Sequence, residues 1–188
     1  MSAEVQDSSE LVELVQHACA GNLGAFDAIV DRYWDRIRRW LFVLTCNRTS
    51  AEDLAQETFL RVWQQLSTLS DAKLFQPWLF RIAHNLALDY RKRERLRRTE
   101  TIPDGISNER DDPLIAAMEN EGRTAYQAAV AHLAHNYQIA YLLWTQQDMP
   151  YAEMAVVLDI TEELARWRVS EARRRLLVAL KPYLDVVT

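Results

Sequence analysis

Basic side chains cluster in one stretch of the chain, directly after an apolar and aromatic segment. Residues 78–98 contain seven bases and only two acids. Guanidinium and ammonium groups neutralise phosphates, which supplies affinity for nucleic acid without reading its sequence. A second basic segment, residues 166–181, has six bases against the single acid Glu171. One such run is explained equally well as a solvated helix face, but two runs that each follow aromatic residues predict contact with a polyanion at two places.

The chain as a whole is acidic, with a formal net charge of −5, which by itself argues against a nucleic-acid partner. The distribution of the charges reverses that argument. Residues 1–31 contain six acids and no Lys or Arg, and residues 99–121 contain seven acids and one Arg. The two basic segments are therefore separated by acidic ones, as expected when the nucleic-acid-binding surface is local.

A polar break at residues 67–76 lies between two aromatic segments. A loop braced by Trp63, Phe75 and Trp78 is suited to hold an unstacked base, and stacking contributes roughly 1–3 kcal/mol per base. The alternative is that these rings belong to the core, since aromatic residues at helical spacing are usually buried. We expect Trp63 and Phe59 in the core and leave both interpretations open for Trp78.

Catalytic and metal-binding constellations do not emerge from the sequence. His132 and His135 are three residues apart, but neither an HExxH motif nor paired cysteines accompany them. Glu52 and Asp53 are adjacent and point about 100° apart on a helix, so they are poorly placed to share a proton or a metal ion. We predict that the protein is not an enzyme and uses no cofactor and no metal.

The two cysteines, Cys19 and Cys46, form no disulfide pattern, which favours a reducing compartment. The sequence has neither an apolar run of the ~20 residues that a membrane span needs nor the pattern of a signal peptide. We therefore expect a cytoplasmic protein without direct membrane insertion.

Apolar residues recur at steps of three and four along most of the chain, and only four Gly and five Pro are present. This pattern predicts an all-α protein. Ser50 is expected to cap a helix, with Asp53 as its capping-box partner. Residues 99–113 are the only linker-like stretch. We predict two small helical domains, residues 1–98 and 120–188, joined by a flexible acidic linker at 99–119.

The second half of the chain predicts a helix-turn-helix. A short helix at Tyr151–Leu158 is followed by a turn and a longer, Arg-rich helix at Glu162–Leu184. The usual turn glycine is missing, and Asp159 lies near its place. Aspartate tolerates the left-handed backbone conformation better than most residues.

Residues 50–98 resemble region 2 of the sigma-70 family of bacterial transcription initiation factors, within the group of extracytoplasmic-function (ECF) sigma factors. The segment AEDLAQETFLRVW resembles region 2.2, and FQPWLFRIAHNLALDYRKR resembles regions 2.3 and 2.4. Residues 133–180, with YQIAYLLWTQQDMPYAEMAVVLDIT, are similar to region 4. The resemblance covers nearly the whole chain apart from about ten N-terminal residues and the linker.

The resemblance implies a factor that binds core RNA polymerase, directs it to promoters with −35 and −10 elements and promotes DNA melting. Region 2.2 would bind the coiled coil of the largest polymerase subunit and region 4 the beta flap, and an anti-sigma factor would be a further partner. The implied polymerase contacts are Glu52, Asp53, Gln56, Glu57 and Arg61. The implied contacts to the −10 element are Ser67, Ser70, Lys73 and Phe75 of a base-capturing loop, with Trp78, Arg81, Asn85, Asp89, Arg91 and Lys92. The implied contacts to the −35 element are Glu162, Glu163, Arg166, Arg168, Arg173 and Arg174.

Region 4 departs from the family pattern. Family members commonly have a turn resembling LGIPVGTVKSR, whereas this chain has LDITEELARWR. Glu162 and Glu163 stand where the recognition helix approaches DNA, and phosphates repel carboxylates, although one can accept from the amino group of cytosine. Trp167 replaces a small residue. These departures predict an unusual −35 element or weak binding to it.

A helix-turn-helix regulator that acts on duplex DNA without polymerase is the alternative function. It accounts for residues 150–184 but leaves AEDLAQETFLRVW unexplained. Binding of promoter DNA by the isolated chain would favour this alternative.

Overall fold

The computed structural model describes the backbone of residues 2–100 and 121–184 and the side chains of residues 9–96 and 125–181. These parts contain eight α-helices and no strand, which confirms the all-α prediction. The chain divides into two compact units, Met1–Ile106 and Ser107–Thr188. Almost all of the predicted linker, residues 99–119, lies outside the described residues.

The first unit consists of four helices: α1 (Ser2–Cys19), α2 (Leu23–Thr45), α3 (Arg48–Gln65) and α4 (Phe75–Glu100). Helix α2 packs against each of the other three, and α3 packs against α4. The core of this unit is built from apolar residues that recur every three or four positions on α2, α3 and α4. Its fully buried members include Ile29, Ile37, Leu41, Ala55, Val62, Leu79, Phe80 and Leu86.

The start of α3 differs from the prediction. The helix begins at Arg48, and its cap is Asn47, whose side-chain oxygen accepts a hydrogen bond from the backbone N–H of Ser50 at 2.9 Å. The Ser50 hydroxyl instead donates to the hydroxyl of Tyr90 on α4 at 2.9 Å. The predicted Ser50 cap is therefore wrong, because Asn47 offers an equally good capping side chain three residues earlier.

Two short 3₁₀ turns, Leu66–Thr68 and Ala72–Leu74, form the break between α3 and α4. The break is anchored at both ends, since Leu66 and Phe75 are buried. The carboxylate of Asp71 accepts from the backbone N–H of Lys73 at 2.9 Å and so holds the second turn. Helix α1 packs against both turns. The residues between the two anchors therefore form a supported surface loop rather than an open linker.

The second unit consists of α5 (Glu121–Ala131), α6 (His135–Gln146), α7 (Tyr151–Leu158) and α8 (Glu162–Leu184). Helix α8 is the central element and packs against the other three. Its buried residues are spaced four, three and four apart and form one apolar face: Ala165, Val169, Ala172 and Leu176. Asp159 ends α7 in the left-handed conformation, with φ 53° and ψ 52°, as predicted for the helix-turn-helix turn.

The conformation of Asp159 gives a stability prediction. Glycine adopts a positive φ without the steric cost that a Cβ atom imposes. We expect Asp159→Gly to raise the free energy of unfolding of the second unit by about 0.5–1 kcal/mol. Asp159→Ala removes the same charge but keeps the Cβ atom, so we expect it to lower that free energy. Amide hydrogen exchange of α7 and α8 measures both effects, and equal shifts of the same sign for the two variants would contradict this interpretation.

Candidate functional surfaces

The outward face of α3 carries a short polar stripe with an apolar residue in it. Asp53, Gln56, Glu57 and Leu60 are separated by steps of three, one and three residues, so they share one side of the helix. Asp53 and Gln56 are exposed, and Leu60 is 57% exposed. These four residues are called the α3 surface here.

Glu52 and Arg61, the other two predicted polymerase contacts, lie on opposite flanks of the α3 surface. Arg48 pairs with Glu52 at 3.4 Å, and Arg61 pairs with Glu57 at 2.6 Å. These ion pairs are solvent-accessible and contribute little to stability, but they orient the side chains. Leu60 was not predicted as a contact. The sequence indicates the exposure of Leu60, because this residue is out of phase with the buried residues Ala55 and Val62 of the same helix.

Helix α4 presents a second surface. Trp78, Arg81, Asn85, Asp89 and Lys92 follow one another at steps of three or four residues and form one face, which we call the α4 stripe. All are exposed except Trp78, which is half-buried and packs against Phe75 with 6.1 Å between ring centroids. The structure thus brings five of the predicted −10 contacts together on one helix face.

Arg91 does not belong to the α4 stripe. It lies one residue before Lys92, which rotates it by about 100° around the helix, and it is half-buried. Arg91 therefore faces a different direction from the residues of the α4 stripe. The neighbouring Arg93 donates a hydrogen bond from its guanidinium to the backbone oxygen of Asp89 at 3.3 Å. The side chains of Arg97 and Arg98 lie outside the described residues.

The loop that contains the two 3₁₀ turns exposes Ser67, Ser70 and Lys73, and Leu74 is 50% exposed. Phe75 is fully buried, and its ring meets the Tyr33 ring edge-on at 5.8 Å. The prediction that Phe75 contacts DNA does not fit this position, because a fully buried ring cannot stack on a base. Its role here is to anchor the loop.

The aromatic residues of α3 follow the prediction in part. Phe59 is buried and stacks on Trp34 with 5.9 Å between centroids. Trp63 is half-buried and packs against Phe26 at 4.9 Å. Both rings therefore attach α3 to α2, and neither lies on the α3 surface.

The predicted −35 contacts on α8 do not share one face. Arg166 and Arg173 lie seven residues apart on one flank, where they stack on Tyr151 and Trp144 with 5.4 Å and 5.2 Å from guanidinium carbon to ring centroid. Arg168 is half-buried and lies on the opposite flank. Because of this split, the four predicted arginines cannot enter one groove together.

The acids of α8 hold several of its arginines. Arg166 pairs with Glu162 at 2.7 Å. Glu171 accepts hydrogen bonds from Arg174 at 2.7 Å and 2.8 Å and from Arg175 at 2.8 Å. These hydrogen bonds lower the pKa of Glu171 to about 2. Glu163 is exposed and makes no ion pair within the described residues.

Neither a metal site nor a membrane span is found in the part of the chain that the structure describes. No three His, Cys, Asp or Glu side chains lie close enough there to hold an ion, and none of the helices there is long and apolar enough to cross a bilayer. A shallow cavity of about 430 Å³ lies in the second unit and is lined by Trp144, Thr145, Asp148, Met149, Pro150 and Tyr151.

One histidine of α4 is buried. His84 is 7% exposed, and its Nδ1 atom has no hydrogen-bond partner among the described residues. Burial, together with the positive charge of Arg91, lowers the pKa of His84 to about 4. The imidazole is therefore neutral in the folded protein at neutral pH.

Known proteins resemble this chain in sequence. Residues 29–97 match the sigma-70 region 2 family. The chain is 33% identical over 159 residues to the ECF RNA polymerase sigma factor BldN of Streptomyces coelicolor, which covers 83% of this chain and 60% of BldN. It is 29% identical over 155 residues to the ECF RNA polymerase sigma factor SigM of Bacillus subtilis, which covers 80% of this chain and 91% of SigM. The chain thus spans less than two thirds of BldN but most of SigM.

The fold is also similar to solved structures. The sigma factor RpoE of Bartonella quintana, solved in complex with the anti-sigma factor NepR, superposes with a TM-score of 0.61 at 21% identity, covering 83% of this chain and 96% of RpoE. At this identity the likeness concerns the fold.

The buried imidazole makes the stability of the first unit depend on pH. Below pH 6.5 the unfolded chain binds a proton at His84, whereas the folded protein does so only near pH 4. The contribution of neutral His84 to the free energy of unfolding is therefore fully present above pH 6.5. We expect this free energy to fall by about 3 kcal/mol as the pH decreases to 4. Urea unfolding at several pH values measures this loss, and hydrogen exchange of α4 at the same pH values locates it.

Two variants separate His84 from other titrating groups. His84→Gln should lose the pH dependence between 6.5 and 4, whereas His17→Gln, which removes an exposed imidazole of the same unit, should keep it. A folded-state titration midpoint of His84 near 6.5 by NMR would refute the assignment.

Proposed function

We propose that the chain is a member of the sigma-70 family, in its ECF group, to which its sequence is similar, and that it binds core RNA polymerase, directs it to promoters with −35 and −10 elements and promotes DNA melting. The observation that carries the proposal is the pair of exposed surfaces on consecutive helices, the α3 surface and the α4 stripe. Both lie within the residues that match region 2. One is acidic with an apolar centre, and the other carries the exposed bases Arg81 and Lys92.

The α3 surface is proposed to bind the coiled coil of the largest polymerase subunit. Stable protein interfaces combine an apolar centre with a polar rim. Leu60 supplies the apolar centre, and Asp53, Gln56 and Glu57 surround it with acceptors and negative charge. A partner surface with basic residues around an apolar contact fits this arrangement.

The α4 stripe and the loop before it are proposed to bind the −10 element. Arg81 and Lys92 are placed to neutralise phosphates, and Asn85 between them can hydrogen-bond to bases or to the backbone. The loop is held at its buried ends by Leu66 and Phe75. Because the ends are fixed, the exposed Ser67, Ser70 and Lys73 are suited to receive a base that has left the stack.

The second unit is proposed to have two partners. It binds the −35 element through α8, and it also binds the beta flap of polymerase. An anti-sigma factor is a further proposed partner, because RpoE of similar fold was solved with NepR. The proposal places the protein in the cytoplasm, where polymerase and promoter DNA are.

The direct test of the proposed function is transcription by purified core polymerase with and without the full chain on a pool of genomic fragments. We expect transcripts with defined start sites that depend on the chain. Retention of the chain on core polymerase without any chain-dependent transcript would count against promoter recognition. Tight binding to promoter duplex in the absence of polymerase would favour an independent regulator.

A substitution at the centre of the α3 surface tests polymerase binding. Leu60→Asp places a charge at the apolar centre, and we expect it to weaken binding to core polymerase by more than about tenfold, as for a central interface residue. Leu23→Asp is the matched control, because Leu23 is 63% exposed and lies on α2 of the same unit. Titration of labelled chain with core polymerase measures both affinities, and equal loss in the two variants would contradict the role of Leu60.

Substitutions in the α4 stripe test DNA binding separately. We expect Arg81→Ala with Lys92→Ala to weaken promoter binding by the holoenzyme and to reduce its salt dependence by about two units of logarithmic slope, one for each lost phosphate contact. Binding to core polymerase should be unchanged. Arg39→Ala, which removes an exposed base of α2, should leave the slope as it is. If the double variant loses affinity for core polymerase instead, the division between the two surfaces is incorrect.

A further inference from the structure

The first half of α8 exposes a face that does not carry free cations. The buried residues Ala165 and Val169 define the inner side of the helix. Glu163, Trp167 and Ser170 lie on the opposite side, since they are displaced by about 140–200° from that inner side. All three are exposed. The centre of this face therefore consists of a carboxylate, an indole and a hydroxyl.

Trp167 is exposed but not loosely held. Its side chain is 54% exposed, and its ring meets the Tyr137 ring edge-on with 5.7 Å between centroids. The Arg175 guanidinium carbon lies 4.4 Å from the centroid of Tyr137. The indole is thus braced by contacts with α6 on one edge, while the rest of the ring faces solvent. A braced ring loses less conformational entropy on binding than a mobile one.

The arginines near this face are directed elsewhere by their contacts. Arg166 stacks on Tyr151 and pairs with Glu162, and Arg173 stacks on Trp144. Arg174 lies further along the outward face, but both of its hydrogen bonds go to Glu171. The groups left at the centre of this face are therefore Glu163, Trp167 and Ser170.

We propose that Glu163 and Trp167 select the base sequence of the −35 element, namely a cytosine and a thymine within about two base pairs of each other. This inference rests on the proposed function. In the major groove cytosine offers an amino donor, which a carboxylate accepts, and thymine offers a methyl group, which an apolar ring contacts. Four residues of helix rise by about 6 Å, which corresponds to about two base-pair steps of 3.4 Å.

The carboxylate also accounts for rejection of other sequences. Guanine offers only acceptors at the groove edge, so Glu163 opposite guanine leaves two groups that repel each other. Phosphates repel the same carboxylate. Glu163 therefore lowers affinity for DNA in general and recovers it only where cytosine is present, which is specificity by exclusion of the wrong partner.

The test uses the full chain with core polymerase and a promoter library that is randomised in the −35 region, with the transcripts sequenced. The wild type should enrich cytosine and thymine at neighbouring positions. Trp167→Ala should reduce the thymine preference roughly three- to tenfold, and Trp167→Phe should retain it. Glu163→Gln should shift the preference from cytosine towards adenine, which glutamine reads.

Leu177→Ala is the matched control, because Leu177 is an apolar residue on the same helix with 62% exposure, ten residues further on. It should leave both preferences unchanged. An equal effect of Leu177→Ala, or the same enriched sequence for wild type and Trp167→Ala, would overturn the proposal.

Replacing the selected thymine by uracil removes only the methyl group. Wild-type holoenzyme should bind the uracil promoter several-fold more weakly, roughly as for the loss of one base contact, and Trp167→Ala holoenzyme should bind both promoters equally. Equal binding of the thymine and uracil promoters by the wild-type holoenzyme would refute the role of Trp167. Absence of chain-dependent transcripts from the whole library would instead refute the proposed function, so the two failures are distinguishable.

Discussion

The first unit depends on how α4 packs against α2 and α3. Leu79, Ala83 and Leu86 are fully buried on one side of α4, and each large apolar side chain so buried contributes roughly 1.5–3 kcal/mol. A helix is rigid, so burying this side fixes its rotation about its own axis and thereby determines which residues face outward. The α4 stripe is therefore a consequence of the core rather than a separate arrangement. The hydrogen bond between Ser50 and Tyr90 joins the start of α3 to the same helix.

The helices and their outward faces could be predicted from the sequence because one physical rule, apolar periodicity, governs both. The same rule explains why the α3 surface and the α4 stripe fall on residues expected from the pattern. It does not distinguish two capping side chains that lie close together, and so the choice of Asn47 over Ser50 required the structure. Nor does it decide which aromatic residue of a loop is an anchor, since both an anchor and a base-stacking residue are large, apolar and flanked by polar residues. Phe75 was misassigned for this reason.

The basic segment of α8 shows a second limit of the sequence. Composition counts arginines, but it does not show where each one points or what holds it. Arg166 and Arg168 are two residues apart and thus on opposite flanks of the helix. Glu171 is a single acid in a run of bases, yet it binds both Arg174 and Arg175. An excess of bases in a segment consequently overstates the positive charge that is available to a phosphate.

The two units therefore differ in how their charges would meet DNA. On the α4 stripe the exposed Arg81 and Lys92 can turn to phosphates at little cost, because the contact of Lys92 with Asp89 is long, at 4.0 Å, and exposed. On α8 a phosphate must compete with Glu162 for Arg166 and with Glu171 for Arg174, and each carboxylate left behind repels it. Electrostatic affinity should then come mainly from the first unit, and the second unit should contribute chiefly to the choice of sequence. Such a division suits a protein whose acidic segments already oppose indiscriminate binding to nucleic acid.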